Sequence, residues 1–320
     1  MGGERNGFVA CPLGGSMRPW MLAPLALLLA LPGANAAPVQ VTAELHLISV
    51  GNYDTAKGTY LMDFYLHLRW DAAHAPANFT PAKFEFMNGR AASRDLLSDD
   101  LGADGFRDAW YRVQASLYSA PQFAQYPFDQ QKLTIVLEDT VHPDAELVYA
   151  AGKATLDGDA GVAGWKESGF APTVATKAYP FGESYSRLQY TLSLKREPVS
   201  SAMRTFLPPL AFMLVASFSF FFDRAQAANR LSLGTGMLIT AVGFHISQTV
   251  ALPPLGALTL FDKVMIAAYA FIAATLLVTT VLAFGERLQL PERMSKLVNQ
   301  RGALLAVAVP FVVFGLLAFL

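Results

Sequence analysis

Residues 229–250, NRLSLGTGMLITAVGFHISQTV, set the strongest constraint on this chain. A spanning helix needs about 20 mostly apolar residues at ~1.5 Å rise each, and this stretch is long enough. Between Leu231 and Phe261 its one group able to ionise near neutral pH is His245. For a helix meeting lipid it is nevertheless polar, because it carries Ser232, Thr235, Thr240, Ser247, Gln248 and Thr249. Polar side chains inside a membrane are costly unless they face other helices or water. At helical spacing Ser232, Gly236, Ile239, Gly243, Ile246 and Val250 fall on one face, in steps of four, three, four, three and four. Two arrangements satisfy that pattern. In one, copies of the helix line a water-filled pore; in the other, a mildly polar helix packs inside its own bundle, with Gly236 and Gly243 allowing close contact.

The rest of the composition agrees with a membrane. Of 320 residues 53% are hydrophobic and only 15% charged, against about 25% charged in soluble domains. The net charge of -1 and the lack of a Lys/Arg run exclude a nucleic-acid partner. At the start, Arg18, the apolar run Met21–Leu31 and the small-x-small triplet Ala34-Asn35-Ala36 predict a signal peptide, with a mature chain beginning near Ala37. Met17 is a second plausible start. The single cysteine, Cys11, falls in that leader, so thiolate zinc sites, disulfides and cysteine catalysis are excluded from the mature part.

From Pro38 to about Pro198 the pattern is β. Val39, Val41, Ala43, Leu45 and Leu47 alternate with polar neighbours, and Met62, Phe64, Leu66, Leu68 and Trp70 do the same after a turn over Gly51–Gly58. Further strands are expected at Trp110–Tyr118, Lys132–Leu137, Glu146–Tyr149 and Leu188–Lys195, with loops at Gly158–Gly164 and Pro180–Glu183. Short strands with Gly, Pro, Asn and Asp punctuation predict an antiparallel β-sandwich over 37–198. The composition then turns apolar. Spans are expected at about 202–222, 229–251, 262–284 and 302–320, with Asp223–Arg230 and Gly285–Arg301 as connections. Arg224 and Arg230 in the first connection, and Arg287, Arg293, Lys296 and Arg301 in the third, place both in the cytoplasm, against Lys263 alone in the second. The sandwich then lies outside, as the signal peptide requires. The expected fold is an extracellular antiparallel β-sandwich followed by a four-helix transmembrane bundle, in an inner membrane crossed several times.

Tyr126-Pro127-Phe128-Asp129-x-Gln131 resembles the signature of the pentameric ligand-gated ion channels, the Cys-loop receptor superfamily. Ser119 and Leu133 stand where animal members carry their two cysteines, and Arg230-Leu231-Ser232-Leu233-Gly234 looks like the opening of the family's pore helix. The likeness is greatest to the amine-gated bacterial branch. It rests on Glu85-Phe86-Met87-Asn88, Glu138, Trp165, Glu183-Ser184-Tyr185-Ser186-Arg187 and Lys263-x-Met265-Ile266-Ala267-Ala268-Tyr269. The resemblance implies a homopentamer around a central pore, with membrane lipid outside it, permeant ions within it, a small-molecule agonist between neighbouring sandwiches and no cofactor.

An ammonium agonist needs π-faces and carboxylates. By resemblance Tyr179 and Tyr185 sit in the loop that caps the site, Glu85 and Glu138 on the principal face, and Tyr65 on the complementary face. The strand pattern also turns Tyr65 away from the core. Ordinary surface tyrosines and solvated acids are the alternative. Thr140 stands where amine-gated relatives carry an aromatic ring. Asp129 and Arg196 look like the family's buried pair at the domain junction, Pro127 belongs to the signature loop, and Asp54 and Pro253 look like coupling contacts. Their plainer readings are a solvent turn and a helix stop. In the pore, Ile239 is the expected hydrophobic gate, Ile246 and Val250 a second constriction, and Ser232 the polar ring at the inner end. Cation-selective relatives carry a glutamate where this chain has Asn229, and the anion-selective Pro-Ala insertion is missing, so cation conduction follows from the branch alone. His245 is expected to pack as a neutral ring against a neighbouring helix, with pH sensing as the alternative.

The functional expectation is therefore a ligand-gated, cation-conducting channel opened by a small amine. A proton-gated channel and a non-conducting membrane-anchored sensor are the alternatives. An enzyme is the least expected outcome, because G-x-S-x-G, H-E-x-x-H and P-loop patterns are all missing from the sequence.

Overall fold

The computed structural model describes residues 37–250, 252–287 and 291–317. The expected signal peptide at 1–36, including Cys11, lies outside the described residues, as do the ends of two expected spans at 251 and 318–320.

Alternating side chains produce the strands the sequence predicts, and others besides. In order they are β1 (Val39–Asp54), β2 (Thr59–Asp71), β3 (Phe84–Phe86), β4 (Gly89–Leu101), β5 (Phe106–Tyr118), β6 (Gln130–Asp139), β7 (Leu147–Leu156), β8 (Trp165–Ala178) and β9 (Ser184–Arg196). They form a five-stranded sheet, β4-β5-β2-β1-β7, and a four-stranded sheet, β3-β6-β9-β8. Every pairing is antiparallel except β1 with β7. The inward sets Val41, Ala43, Leu45 and Leu47 of β1, Phe64, Leu66 and Leu68 of β2, and Leu188, Leu192 and Leu194 of β9 are at most 2% exposed. Burial of such side chains stabilises by roughly 1.5–3 kcal/mol each. The Tyr190 hydroxyl donates across the sandwich to the Ala43 carbonyl at 2.7 Å, tying the two sheets together.

The base of the 119–134 loop is closed without a disulfide. Ser119 Oγ and Thr134 Oγ1 lie 2.9 Å apart, and the buried Tyr60 hydroxyl donates to the Thr134 carbonyl at 2.7 Å.

Four helices follow: α1 (Pro198–Ser217), α2 (Ala227–Thr249), α3 (Leu260–Arg287) and α4 (Glu292–Leu317). Among the described residues, Pro198–Phe221 and Leu260–Gly285 are long and apolar enough to cross a membrane. α3 packs against α1, α2 and α4, around a cluster that includes Ala216, Ala241, Phe261, Met265, Ile272 and Ala306. Because α2 begins at Ala227 and α4 at Glu292, Arg230 lies within α2, and Arg293, Lys296 and Arg301 lie within α4 rather than in connections.

One side of α2 is fixed firmly. Arg230 is 2% exposed; its Nη1 donates to Asn299 Oδ1 at 3.1 Å and its Nε to the Phe222 carbonyl at 3.1 Å. Gly234 is the close-contact glycine, since a methyl there would stand 2.5 Å from Leu276 Cδ2. Gly236 and Gly243 do not have that role: a methyl at either would meet nothing within 4 Å. The close-packing reading of these two glycines therefore fails, and the reason is their place on the side of α2 away from α3.

Candidate functional site

Two regions carry the chemistry. The first is built on the four-stranded sheet, where Glu85, Glu138 and Arg187 stand opposite one another in register on β3, β6 and β9. Glu138 is 3% exposed yet charged-group rich: Arg187 Nε donates to its Oε1, and the Tyr179 hydroxyl donates to its Oε2 at 2.7 Å. Arg187 Nη2 also donates to the Tyr179 hydroxyl at 3.1 Å. Burying one carboxylate beside another is costly, and the guanidinium offsets that cost where β6 meets β9. Desolvation alone would lower the Arg187 pKa, but the bond to Glu138 and its charge raise it.

The loop between β8 and β9 folds over this group. Tyr179 stacks on Phe181 with centroids 5.2 Å apart and meets Tyr185 edge-on at 6.0 Å. Phe181 is 74% exposed, so the aromatic cluster has an open face. The Tyr185 hydroxyl donates to Glu183 Oε2 at 2.7 Å, and that bond raises its pKa. Partial burial and the bond to Glu138 raise the pKa of Tyr179. Both phenols therefore remain neutral donors at physiological pH.

Of the five residues expected at the agonist site, Glu85, Glu138, Tyr179 and Tyr185 come together on this sheet and its loop. Tyr65 does not join them. It lies on β2 of the other sheet, with the Arg112 guanidinium 5.8 Å from its ring. Thr140 closes against the Lys83 carbonyl through its hydroxyl at 2.7 Å. Arg187 is the member sequence reasoning missed. Its pairing with Glu138 joins residues 49 apart and depends on the β6–β9 register, which single-strand alternation does not reveal.

The second region is the junction with the helices and the outward side of α2. Asp129 is 1% exposed; its Oδ1 accepts from Arg196 Nε at 2.7 Å, and its Oδ2 from Arg196 Nη2 at 3.1 Å and Gln131 Nε2 at 2.7 Å. The guanidinium lies 4.3 Å from the Trp165 ring centroid and 5.3 Å from that of Tyr126. Beside Tyr126, Pro127 is buried. The Tyr126 carbonyl accepts from the Phe261 amide at 3.2 Å, and the Phe261 ring meets those of Phe244 and His245 on α2. A continuous run of contacts thus leads from the sandwich to α2. Asp54 is instead held in its own turn, by the amides of Ala56 and Lys57 at 3.0 Å, and Pro253 is half-buried just after α2.

The packing expected of His245 is found against α3, with Nδ1 3.0 Å from the Tyr269 hydroxyl, while Nε2 lies 2.9 Å from Asp262 Oδ1, a carboxylate that the reading of a neutral packed ring did not include. On the opposite side of α2 the predicted stripe is open. Ile239 is 74%, Ile246 58% and Val250 79% exposed; Asn229, Ser232 and Gly243 are exposed and Gly236 half-buried. Among the described residues, no helix covers Ile239, Ile246 or Val250 on this side.

No protein-family model matches the chain. Curated proteins do. Over 173 residues it is 25% identical to pH-sensitive chloride channel 2 of Anopheles gambiae, covering 51% of this chain and 28% of that one. Over 256 residues it is 20% identical to the human gamma-aminobutyric acid receptor subunit rho-3, covering 72% and 55%. Over 307 residues it is 21% identical to the Gallus gallus gamma-aminobutyric acid receptor subunit beta-4, covering 84% and 62%. The chain thus spans between about a quarter and three-fifths of these relatives' lengths. Its distant relatives are ion-channel and receptor subunits, in agreement with the superfamily resemblance. They lend no support to cation selectivity, since one is by name a chloride channel.

Proposed function

We propose that the chain is a subunit of a ligand-gated ion channel, in which the open side of α2 from several copies surrounds a water-filled pore. One observation carries this reading: among the described residues Ser232, Ile239, Gly243, Ile246 and Val250 are exposed along one face of α2, with Gly236 half-buried among them, while Arg230 and Gly234 hold the opposite face against the protein. A single helix encloses no water, so a ring of copies is required. The superfamily resemblance supports a ring of five, embedded in this reading through four spans with the sandwich outside the inner membrane. Ile239 serves as the gate, because a ring of apolar side chains blocks ions by dewetting.

The agonist site in this reading is the aromatic cluster of Tyr179, Phe181 and Tyr185 with the carboxylates of Glu183, Glu85 and Glu138, completed by Tyr65 from the neighbouring copy. Arg187 already balances Glu138, which leaves Glu183 and Glu85 to attract a cationic amine. Agonist binding is transmitted through Asp129, Arg196, Tyr126 and Phe261, with Pro127, Asp54 and Pro253 around that route. Neither Asn229 nor any other stripe residue supplies an acid, so the cation expectation rests on the amine-gated branch alone and the reversal potential assigns the sign.

A proton-gated reading has its own support. His67 Nε2 lies 2.7 Å from Asp108 Oδ1 while its buried Nδ1 has no hydrogen-bond partner and faces Glu44 Oε2 at 3.5 Å, and one relative is named for pH sensitivity. Currents recorded under small amines at neutral pH, then under an acid step, separate the readings. The amine reading expects Tyr185→Ala to reduce the amine response by at least about tenfold, the loss of one or two cation–π contacts, and to spare any acid response. An unchanged amine response in Tyr185→Ala contradicts it.

A further inference from the structure

Arg230 is the only lysine or arginine of α2, and its charge is carried into the protein. The residue is 2% exposed and its acceptors are neutral. The Phe222 carbonyl takes a hydrogen bond from Nε at 3.1 Å and another from Nη2, and Asn299 Oδ1 takes one from Nη1 at 3.1 Å. A buried ionised group is costly unless it is well paired, so these oxygens keep the guanidinium in place. Asn299 stands on α4, which packs along α3. Its amide acts twice, because Nδ2 also donates to the Phe220 carbonyl at 3.1 Å. One side chain thus holds the guanidinium directly and braces the short segment that carries the other acceptor, Phe222.

The consequence lies on the other side of the helix. Ser232 stands ~200° round α2 from Arg230, at ~100° per residue, and both Ser232 and Asn229 are exposed. With the guanidinium inside the protein, the Ser232 end of the stripe carries no charged side chain. There is room for a different arrangement. A cleft of about 470 Å³, whose lining includes Phe222, Asp223, Arg230, Lys296 and Asn299, opens beside the guanidinium. An arginine freed from its acceptors extends its charged head toward water. In a ring of copies that would set a circle of cations near the Ser232 end, and basic rings favour anions.

We infer that Asn299 is a positioning residue for ion selectivity: it keeps the Arg230 guanidinium off the open side of α2 and leaves that end of the stripe uncharged. Its effect on ions rests on the reading that this side lines a pore; its hold on Arg230 does not.

The charge near Ser232 is read in the Cys11→Ser/Ser232→Cys protein, as the full chain in detergent at low salt. The measured quantities are the rates at which an anionic and a cationic methanethiosulfonate label the thiol. A unit charge arriving within ~10 Å in water changes each rate about twofold, in opposite senses. Asn299→Leu, which keeps the size and removes the acceptor, should therefore raise the anionic-to-cationic ratio at least about fourfold. Asn299→Asp, which gives Arg230 a carboxylate, should hold the ratio at the parent value or below it. In an Arg230→Gln background Asn299→Leu should leave the ratio unmoved, because no cation is released. Each variant must elute as the parent does on size exclusion; if Asn299→Leu does not, Asn299→Ala takes its place. An unchanged ratio in the folded variant overturns the proposal. So does an equal rise without Arg230, which makes Asn299 merely structural. Currents separate this from the channel reading. In a conducting channel Asn299→Leu should move the reversal potential toward that of the anion. A ratio that responds in a protein passing no current keeps the hold on Arg230 and contradicts the pore. A conducting channel whose reversal potential ignores Asn299→Leu keeps the pore and overturns the role in selectivity.

Discussion

Asp129→Asn is expected to destabilise the protein by about 3–5 kcal/mol, the range for breaking a buried ion pair by removing one partner. The carboxylate is 1% exposed and accepts from Arg196 twice and from Gln131 once. An amide in its place loses the charge and turns an NH2 group toward donors. Arg196 would then lie between the Trp165 and Tyr126 rings with no counter-charge. Arg196→Lys keeps the charge but loses the bidentate geometry, so its cost should be intermediate. In a thermal melt of the detergent-solubilised protein, Asp129→Asn should lower the transition by roughly 10 °C or more. A melt that superimposes on the wild type would show that the pair does not hold the junction.

Ile239→Thr is expected to leave the channel partly open without agonist. The Ile239 side chain is 74% exposed, on a side of α2 left open among the described residues. In a ring each copy contributes one such side chain, so a single substitution changes the whole constriction. A hydroxyl wets a constriction that an isoleucine keeps dry. The resting current should rise at least about tenfold, a shift of ~1.4 kcal/mol in the closed–open balance, with little effect on the melt because the site is unpacked. A resting current equal to that of the wild type, at matched surface expression, would remove Ile239 from the gate.

The legible parts of this fold are those with one buried face. β1, β2, β5, β6 and β9 alternate because their inward residues fill the sandwich core. The strands that sequence reasoning missed, β3, β4 and β8, are all edge strands. β4 is exposed along nearly its whole length, and the second half of β8 likewise, so neither has an alternation to read; β3 has only three residues. β7, the remaining edge, was legible only at its start for the same reason. In α2 the stripe was readable because helical spacing alone determines a face. Which side of that face met α3 was not, and it was Gly234 rather than Gly236 or Gly243 that met Leu276. Around the proposed agonist site, Glu85, Glu138, Tyr179 and Tyr185 were singled out by the family resemblance of local motifs. The Arg187–Glu138 bond was not, because it depends on how two distant strands align.

The pore face can be tested directly, because the only cysteine of the chain is Cys11, in the expected leader. Single cysteines at Ser232, Ile239 and Ile246, with Ala241 and Met265 as buried controls, would be exposed to a charged methanethiosulfonate reagent while the evoked current is recorded. If α2 lines an ion pathway, modification changes the current irreversibly at the three stripe positions and leaves the two controls untouched. Current that is indifferent to reagent at Ser232, Ile239 and Ile246, or altered only at Ala241 and Met265, would contradict a pore along this face of α2.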